Sequence, residues 1–378
     1  MKIGISCYPT VGGSGAVATE LGKALASVGH QVHFIVTDVP FRLGGFHENI
    51  FVHQIDTMSY PVLRTPPYDF SLSALMASVI NQYDLDILHV HYALPFAVCA
   101  FLARELLGNH HVRIVTTLHG TDVTVLAQDK SLKQVMKLGI EKSDAVTAVS
   151  HSLIQETKDL FSTLKPIQCI YNFVDTNTFR PLSPMEVRHC FAPSGEKVLL
   201  HISNFRKVKR ISDVIQIFST VESQIPSRLI MIGEGPELQP ARELVYKLKL
   251  EDKVRFFGKQ DEVAPLFAAA DIFLLPSAKE SFGLVALEAM ACGVPVIGST
   301  AGGIPEVVTH GETGYLSQVG DIEDMARNVL TLLQDDEQYE KMSIAARVRS
   351  QEKFNIRDKV QEYEALYRKL TDESNSKW

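Results

Sequence analysis

The chain has 378 residues, 46% hydrophobic and 21% charged, with 37 Lys and Arg against 44 Asp and Glu for a net charge of -7. That length suits two domains that each bury a core, and the composition is globular rather than disordered or fibrous. The acidic balance argues against a general nucleic-acid binder or a protein of anionic membrane surfaces, both of which need a basic surplus.

Strand-like and helix-like segments alternate along the chain. The first half predicts strands over Lys2–Tyr8, Gln31–Thr37, Asp86–His91, Arg113–Leu118, Ala145–Val149 and Gln168–Val174. Helices are predicted over Ala16–Val28, Leu72–Tyr83 and Phe96–Leu107. Apolar runs such as Ile-Val-Thr-Thr-Leu suit strands buried on both faces, and helices between strands imply βαβ units in a parallel sheet. After a Pro- and Gly-punctuated stretch, Thr176–Glu196, with the composition of a linker, the rhythm resumes. Strands are predicted over Lys197–Ile202, Leu229–Ile232, Val254–Gly258, Ile272–Leu275 and Pro295–Gly298, and a last amphipathic helix over Phe354–Leu370. The expected fold class is α/β, with two doubly wound Rossmann-like domains facing a central cleft. Their bounds are 1–177 and 195–353, with 354–378 packing back on the first domain. Ligands then sit at the carboxyl ends of the strands. The five cysteines, Cys7, Cys99, Cys169, Cys190 and Cys292, are scattered and never in CxxC spacing. Neither a disulfide framework nor a cysteine zinc site is expected, and the cytoplasm is the expected compartment. The longest uncharged apolar run, Ala93 to Ala103, falls short of the roughly 20 residues of a membrane helix.

Several segments carry chemistry. Pro9–Gly15, between a strand and a helix, is not GxGxxG, so a dinucleotide fingerprint is absent. Its glycines Gly13 and Gly15 still let backbone and Ser14 approach a ligand at a helix N-terminus. His89-Val-His91-Tyr92 places two histidines on one strand face. No third metal ligand is recognisable nearby, so His91 and Tyr92 read as ligand-side lining. His119, beside Gly120, ends a buried strand; Asp122 either orients it or caps the next helix. Arg206, Lys207, Lys209 and Arg210 follow a strand and suit a phosphate clamp better than a solvated turn.

The most informative stretch is Glu280-Ser-Phe-Gly-Leu-Val-Ala-Leu-Glu288. Ser281 suits the N-cap of a helix beginning at Phe282, and Gly293 suits its stop. The amides of Phe282, Gly283 and Leu284 would then form an anion site. Glu288 is the only carboxylate from Phe282 to Gly298, roughly 10 Å along the helix from its first turn. Two carboxylates flanking donor amides match the order of a nucleotide-sugar: sugar, diphosphate, ribose.

Glu280 and Glu288, embedded in ESFGLVALEAMACGVPVIGS and followed by Gly302-Gly-Ile-Pro-Glu306, resemble the E-x7-E motif of the GT-B retaining glycosyltransferases. The resemblance implies that Glu280 contacts hydroxyls of the donor sugar and Glu288 the ribose. It implies a diphosphate held by Arg206, Lys209 and the amides after Ser281, with Asn204 standing where the family usually has an arginine. Gly13, Ser14 and Gly15 would face the donor phosphates, and His119 would hydrogen-bond the transferred sugar. Asp84-Leu-Asp86 looks like the DxD motif of metal-using glycosyltransferases, but it precedes its strand and reads as a helix-to-strand turn. No metal and no cofactor is expected.

The strings Pro66-Pro67-Tyr68-Asp69 and His91-Tyr92-Ala93-Leu94-Pro95, with CYPTVGGSG, LHGTD, YNFVD and SNFRKVKR, narrow the resemblance. They match family members of bacillithiol biosynthesis that move N-acetylglucosamine from UDP-N-acetylglucosamine to the hydroxyl of L-malate. Ser14, Tyr92, Thr117 and Thr121 would bind that acceptor, with Arg64 or a base of the 206–210 cluster on a carboxylate. Another small polyol or a sugar phosphate is the alternative acceptor, and nucleotide-sugar binding without turnover the alternative function. The partners are thus small molecules rather than nucleic acid or membrane, and a homo-oligomer is compatible with the sequence.

Overall fold

The computed structural model describes residues 1–9, 12–56, 67–108, 111–124, 126–182 and 185–375. The chain divides into two units, Met1–Asn172 joined by the segment from Ile356 onward, and Phe173–Asn355.

The first unit is built on seven parallel strands: β1 (Lys2–Ser6), β2 (Gln31–Val36), β3 (Ile50–Gln54), β4 (Ile87–His91), β5 (Arg113–Leu118), β6 (Ala145–Ala148) and β7 (Ile167–Cys169). Their order is β3-β2-β1-β4-β5-β6-β7, with parallel registers throughout. The connection reverses direction between β1 and β4, which opens a crevice at the carboxyl ends of those strands. All of β4 and nearly all of β5 are buried, as expected of strands covered on both faces. One core cluster joins Leu88, Val90 and Ile114 to Met76, Ile80 and Phe96 on neighbouring helices. The helix Ile356–Asn375 belongs to this unit; its buried Val360, Tyr363, Tyr367 and Leu370 recur at three- and four-residue spacing, one apolar stripe of a helix.

The second unit has β8 (Lys197–Ile202), β9 (Ser227–Ile232), β10 (Val254–Phe256), β11 (Ile272–Leu275), β12 (Val296–Ser299) and β13 (Gly314–Ser317). The order is β10-β9-β8-β11-β12-β13, again parallel and again reversing, here between β8 and β11. Thr176–Glu196 is no open linker: it contains the helix Met185–Phe191 and buries Phe179 and Phe191 within the second unit. β3 and β13, absent from the sequence reading, are each an edge strand of their sheet. β3 leaves Phe51 and Val52 exposed, and Gly-Tyr-Leu-Ser in β13 lacks a strong strand pattern, so neither advertises itself by burial. Among the described residues, no helix is long and apolar enough to cross a membrane.

Candidate active site

In the second unit, the residues of interest lie on the loops leaving β8 and β11, the two strands at the switch point. Phe205 is fully buried and roots the loop after β8, leaving Asn204 and Arg206 exposed. The loop after β9 packs directly beneath: a Cβ at Gly233 would lie 1.8 Å from the Ser203 carbonyl oxygen, and one at Gly235 2.5 Å from that of Asn204. Only glycine permits that approach. Val208 accepts a hydrogen bond from the Ala278 amide at 2.7 Å, tying the β8 and β11 loops together. Lys209 Nζ then donates to Glu280 Oε2 at 2.5 Å, with both side chains partly buried. The basic cluster and the first glutamate of E-x7-E, 71 residues apart in sequence, therefore form one ion-paired unit.

Glu280 is positioned by Gly302-Gly303. The Gly303 amide donates to the Glu280 carbonyl oxygen at 2.9 Å, and a Cβ on Gly302 would sit 1.9 Å from that oxygen. The helix that follows starts later than its sequence suggests. It spans Leu284–Ala291, and its N-cap is Gly283 at φ 95°, not Ser281. Phe282 and Gly283 form a turn that needs a left-handed residue, which glycine supplies. The first helical bonds run from the Ala286 and Leu287 amides to the Gly283 carbonyl. The donors left by the helix are accordingly those of Leu284 and Val285, one step beyond the predicted set. Glu288 is 4% exposed, about 6 Å along the axis from Leu284 rather than 10 Å.

His201 on β8 escaped the sequence reading. It is buried, donates from Nδ1 to the Leu274 carbonyl at 2.9 Å and accepts at Nε2 from Ser203 Oγ at 2.8 Å. Burial, aided by Lys209, pushes its pKa down to about 4. Its signal in the sequence is a lone imidazole in the apolar run Val-Leu-Leu-His-Ile, the same pattern as at His119.

In the first unit, Gly12 caps the helix Gly13–Ser27. Gly13, Ser14 and Gly15 are its first three residues, and its first internal bond is Ala16 to Gly12 at 3.0 Å. Ser14 Oγ and the Tyr92 hydroxyl are 2.8 Å apart. Tyr92, at φ 89°, is anchored by its amide on the Thr117 carbonyl at 2.9 Å. Its ring packs against Tyr8 and His119, at 5.4 and 5.5 Å between centroids. His119 is partly exposed, and packing around its ring lowers its pKa to about 3. Ser14, Tyr92 and His119 thus form one neutral polar group.

Thr117 does not join it, and its assignment to the acceptor is corrected. Its hydroxyl is fully buried and engaged with His89 Nε2 and Thr147 Oγ1, both at 2.7 Å, and with the Tyr363 hydroxyl at 3.4 Å. Side chains at positions 115, 117 and 119 share a sheet face, but only the last has passed the strand end. Thr121 is exposed at the start of the turn Thr121–Thr124, and Arg64 lies outside the described residues. Among the described residues Asp122 makes no hydrogen bond to His119, and it lies inside the turn Thr121–Thr124 rather than at its N-cap. Its two oxygens accept from the Gly120 amide at 2.9 Å and the Ala93 amide at 3.1 Å, fastening the loops after β5 and β4. His91 is buried rather than lining the surface. Asp84 sits in a left-handed helix stop and Asp86 accepts the Lys2 amide at 2.8 Å, so both lie at the amino-terminal end of the sheet.

Each of the two parallel sheets thus carries polar groups at its switch-point strand ends, the place where open α/β sheets bind ligands. Residues 11–178 match the model of glycosyltransferase family 4, and residues 188–349 that of the glycosyl transferases group 1. The chain belongs to this family and has the GT-B architecture. It is 50% identical, over 100% of its length and 99% of the relative's, to the N-acetyl-alpha-D-glucosaminyl L-malate synthase of Bacillus anthracis. Among solved structures it resembles the sucrose-phosphate synthase of Thermosynechococcus elongatus, with TM-score 0.79, 23% identity, and 98% and 99% of the two chains covered. It also resembles Anabaena HepE in complex with UDP and glucose, with TM-score 0.77, 20% identity, and 97% and 99% covered.

Proposed function

We propose that this glycosyltransferase moves N-acetylglucosamine from UDP-N-acetylglucosamine to the hydroxyl of L-malate with retention of the α configuration. The observation that carries this reading is the 50% identity, end to end, to the malate enzyme of Bacillus anthracis. In the proposed reaction the bond from the anomeric carbon to the β-phosphate oxygen breaks and a bond to the malate hydroxyl oxygen forms on the same face. The malate proton passes to the departing phosphate. The protein then contributes positioning and charge stabilisation. Lys209, Arg206 and the Leu284 and Val285 amides take the negative charge of the leaving UDP, while Glu280 and Glu288 accept from sugar and ribose hydroxyls. Ser14, Tyr92 and Thr121 are the proposed donors to malate, and His119 the contact to the transferred sugar. We place the reaction in the cytoplasm.

Release of UDP from UDP-N-acetylglucosamine, with and without L-malate, tests the reading. Rapid release only with malate is expected. Equal turnover with glycerol, inositol or inositol phosphate would overturn the acceptor, and no release with any acceptor would overturn the activity.

A further inference from the structure

β4 and β5 carry a repeated diagonal pairing. His91 is in register with Thr117, so His89 faces Thr117 and His91 faces His119 across the same diagonal, two residues apart on each strand. The pairs close at 2.7 Å between His89 Nε2 and Thr117 Oγ1 and at 2.8 Å between His91 Nδ1 and His119 Nε2. The three imidazoles stack in sequence, with centroids 4.5 and 5.1 Å apart. The far end is anchored on the last helix, where the Tyr367 hydroxyl lies 2.6 Å from His89 Nδ1.

Proton positions follow from which atoms have partners. The buried Tyr367 hydroxyl meets only His89 among the described residues, so it donates to Nδ1, and His89 donates from Nε2 to Thr117. His91 is fully buried and its Nε2 has no partner among the described residues. If His119 donated to His91, that orphaned Nε2 would have to carry the proton. A buried N–H without an acceptor is rarer than an under-satisfied acceptor. The reverse arrangement leaves only a lone pair there. We infer that His91 is a positioning residue: its Nδ1–H donates to His119 Nε2 and fixes His119 as the Nδ1–H tautomer, a hydrogen-bond donor toward its ligand. Burial keeps all three rings neutral, with His89 and His119 lowered to about 3 and His91 well below the usual histidine range. The functional consequence rests on the proposal that His119 contacts the transferred sugar: a sugar hydroxyl there would meet a donor only.

Long-range proton–nitrogen NMR of the full chain labelled with nitrogen-15 histidine, without substrate at pH 7, tests this. The His119 signals are assigned by their loss in His119→Gln. The expected spectrum has Nδ1 protonated and Nε2 bare. In His91→Phe the proton should move to Nε2, with kcat falling about five- to tenfold for one lost hydrogen bond while the UDP-N-acetylglucosamine KM changes little. His91→Asn, which returns an N–H near the Nδ1 position, should restore both. A wild-type His119 protonated on Nε2, or a tautomer unchanged in His91→Phe, would overturn the inference. Should His91→Phe not fold, the wild-type spectrum still decides. An expected spectrum combined with full activity of His119→Gln would instead overturn the sugar-contact reading and leave the tautomer assignment standing.

Discussion

The two units use one topology and opposite chemistry. At the strand ends of the first, the buried Asp122 apart, the polar groups named above are neutral: hydroxyls of Ser14 and Tyr92 and imidazoles held uncharged by burial. At the strand ends of the second, they are formal charges, with Lys209 paired to Glu280 and Arg206 exposed beside them. The fold offers each unit the same crevice; the side chains decide whether it handles charge or hydroxyl geometry. In the proposed transfer, which releases a nucleotide diphosphate, developing charge falls to the second unit and orientation to the first.

The sharpest way to break that division is at Lys209. Lys209→Met removes the cation proposed for the diphosphate and leaves Glu280 unpaired. A charge-assisted contact is worth about 1.5–3 kcal/mol, and losing two should lower kcat/KM by roughly a hundredfold or more. Steady-state kinetics retaining most of the wild-type value would show that the pair is structural only. Glu288→Gln should act next most strongly, weakening UDP binding about tenfold because a buried acceptor becomes part donor. Calorimetric titration with UDP measures it, and unchanged affinity in a folded variant would remove Glu288 from the ribose.

In the first unit, two neighbouring hydroxyls should separate into different phenotypes. Tyr92→Phe is expected to raise the malate KM up to about tenfold with UDP affinity retained. Thr117→Val instead leaves His89 Nε2 without its acceptor, so it should cost about 1–3 kcal/mol of stability, read as a lower denaturant midpoint, with malate kinetics near wild type. A malate defect in Thr117→Val at undiminished stability would restore Thr117 to the acceptor site.

That pair also shows what the sequence could and could not disclose. The sheet strands were legible because burial on both faces writes continuous apolar runs, and E-x7-E because Glu288 is a lone carboxylate in an apolar helix. Thr117 was misjudged because strand alternation gives a residue's face but not what covers it: its hydroxyl is taken by His89, Thr147 and Tyr363, the last from a helix 246 residues further on. The helix start at Leu284 was hidden because Ser281 is a good cap by type, while the turn actually demands left-handed Gly283. The Lys209–Glu280 contact joins two loops through close glycine packing at Gly302 and Gly303, which no local pattern encodes.

Acid should expose the contrast in stability. His33 is lowered to about 4, His89 and His119 to about 3, all by burial and all in the first unit, whereas His201, about 4, belongs to the second. Below a normal histidine value near 6.5 the unfolded chain binds more protons than these folded rings, so stability is complete above pH 6.5 and declines toward pH 3. Each ring removes up to about 1.4 kcal/mol per pH unit in that window. Asp122, raised by burial, works in the opposite direction at its own lower range and offsets part of the loss. Hydrogen exchange at pH 5 should therefore show β4 and β5 losing protection before β8 and β11. Simultaneous loss, or earlier loss in the second unit, would contradict the assignment of neutrality to the first.

The smallest expected effect concerns metal removal. A divalent cation and a cluster of protein cations are alternative ways to stabilise the same leaving diphosphate. The second unit offers Lys209, the exposed Arg206 and the first-turn amides of Leu284 and Val285 on two loops joined through Val208 and Ala278. The Asp84–Asp86 pair is at the other end of its sheet, and Asp86 already accepts the Lys2 amide. We therefore expect excess EDTA to change the rate of UDP release by less than about twofold, a shift below roughly 0.4 kcal/mol. The informative arm adds magnesium or manganese to the Lys209→Met variant. If the cation replaces the missing ammonium there, part of the lost rate should return although wild type gains nothing, because only the variant has an uncompensated diphosphate. A wild-type rate abolished by EDTA and restored by metal would assign the charge to an ion instead, and the division between a neutral first unit and a charge-handling second unit would have to be redrawn around its ligands.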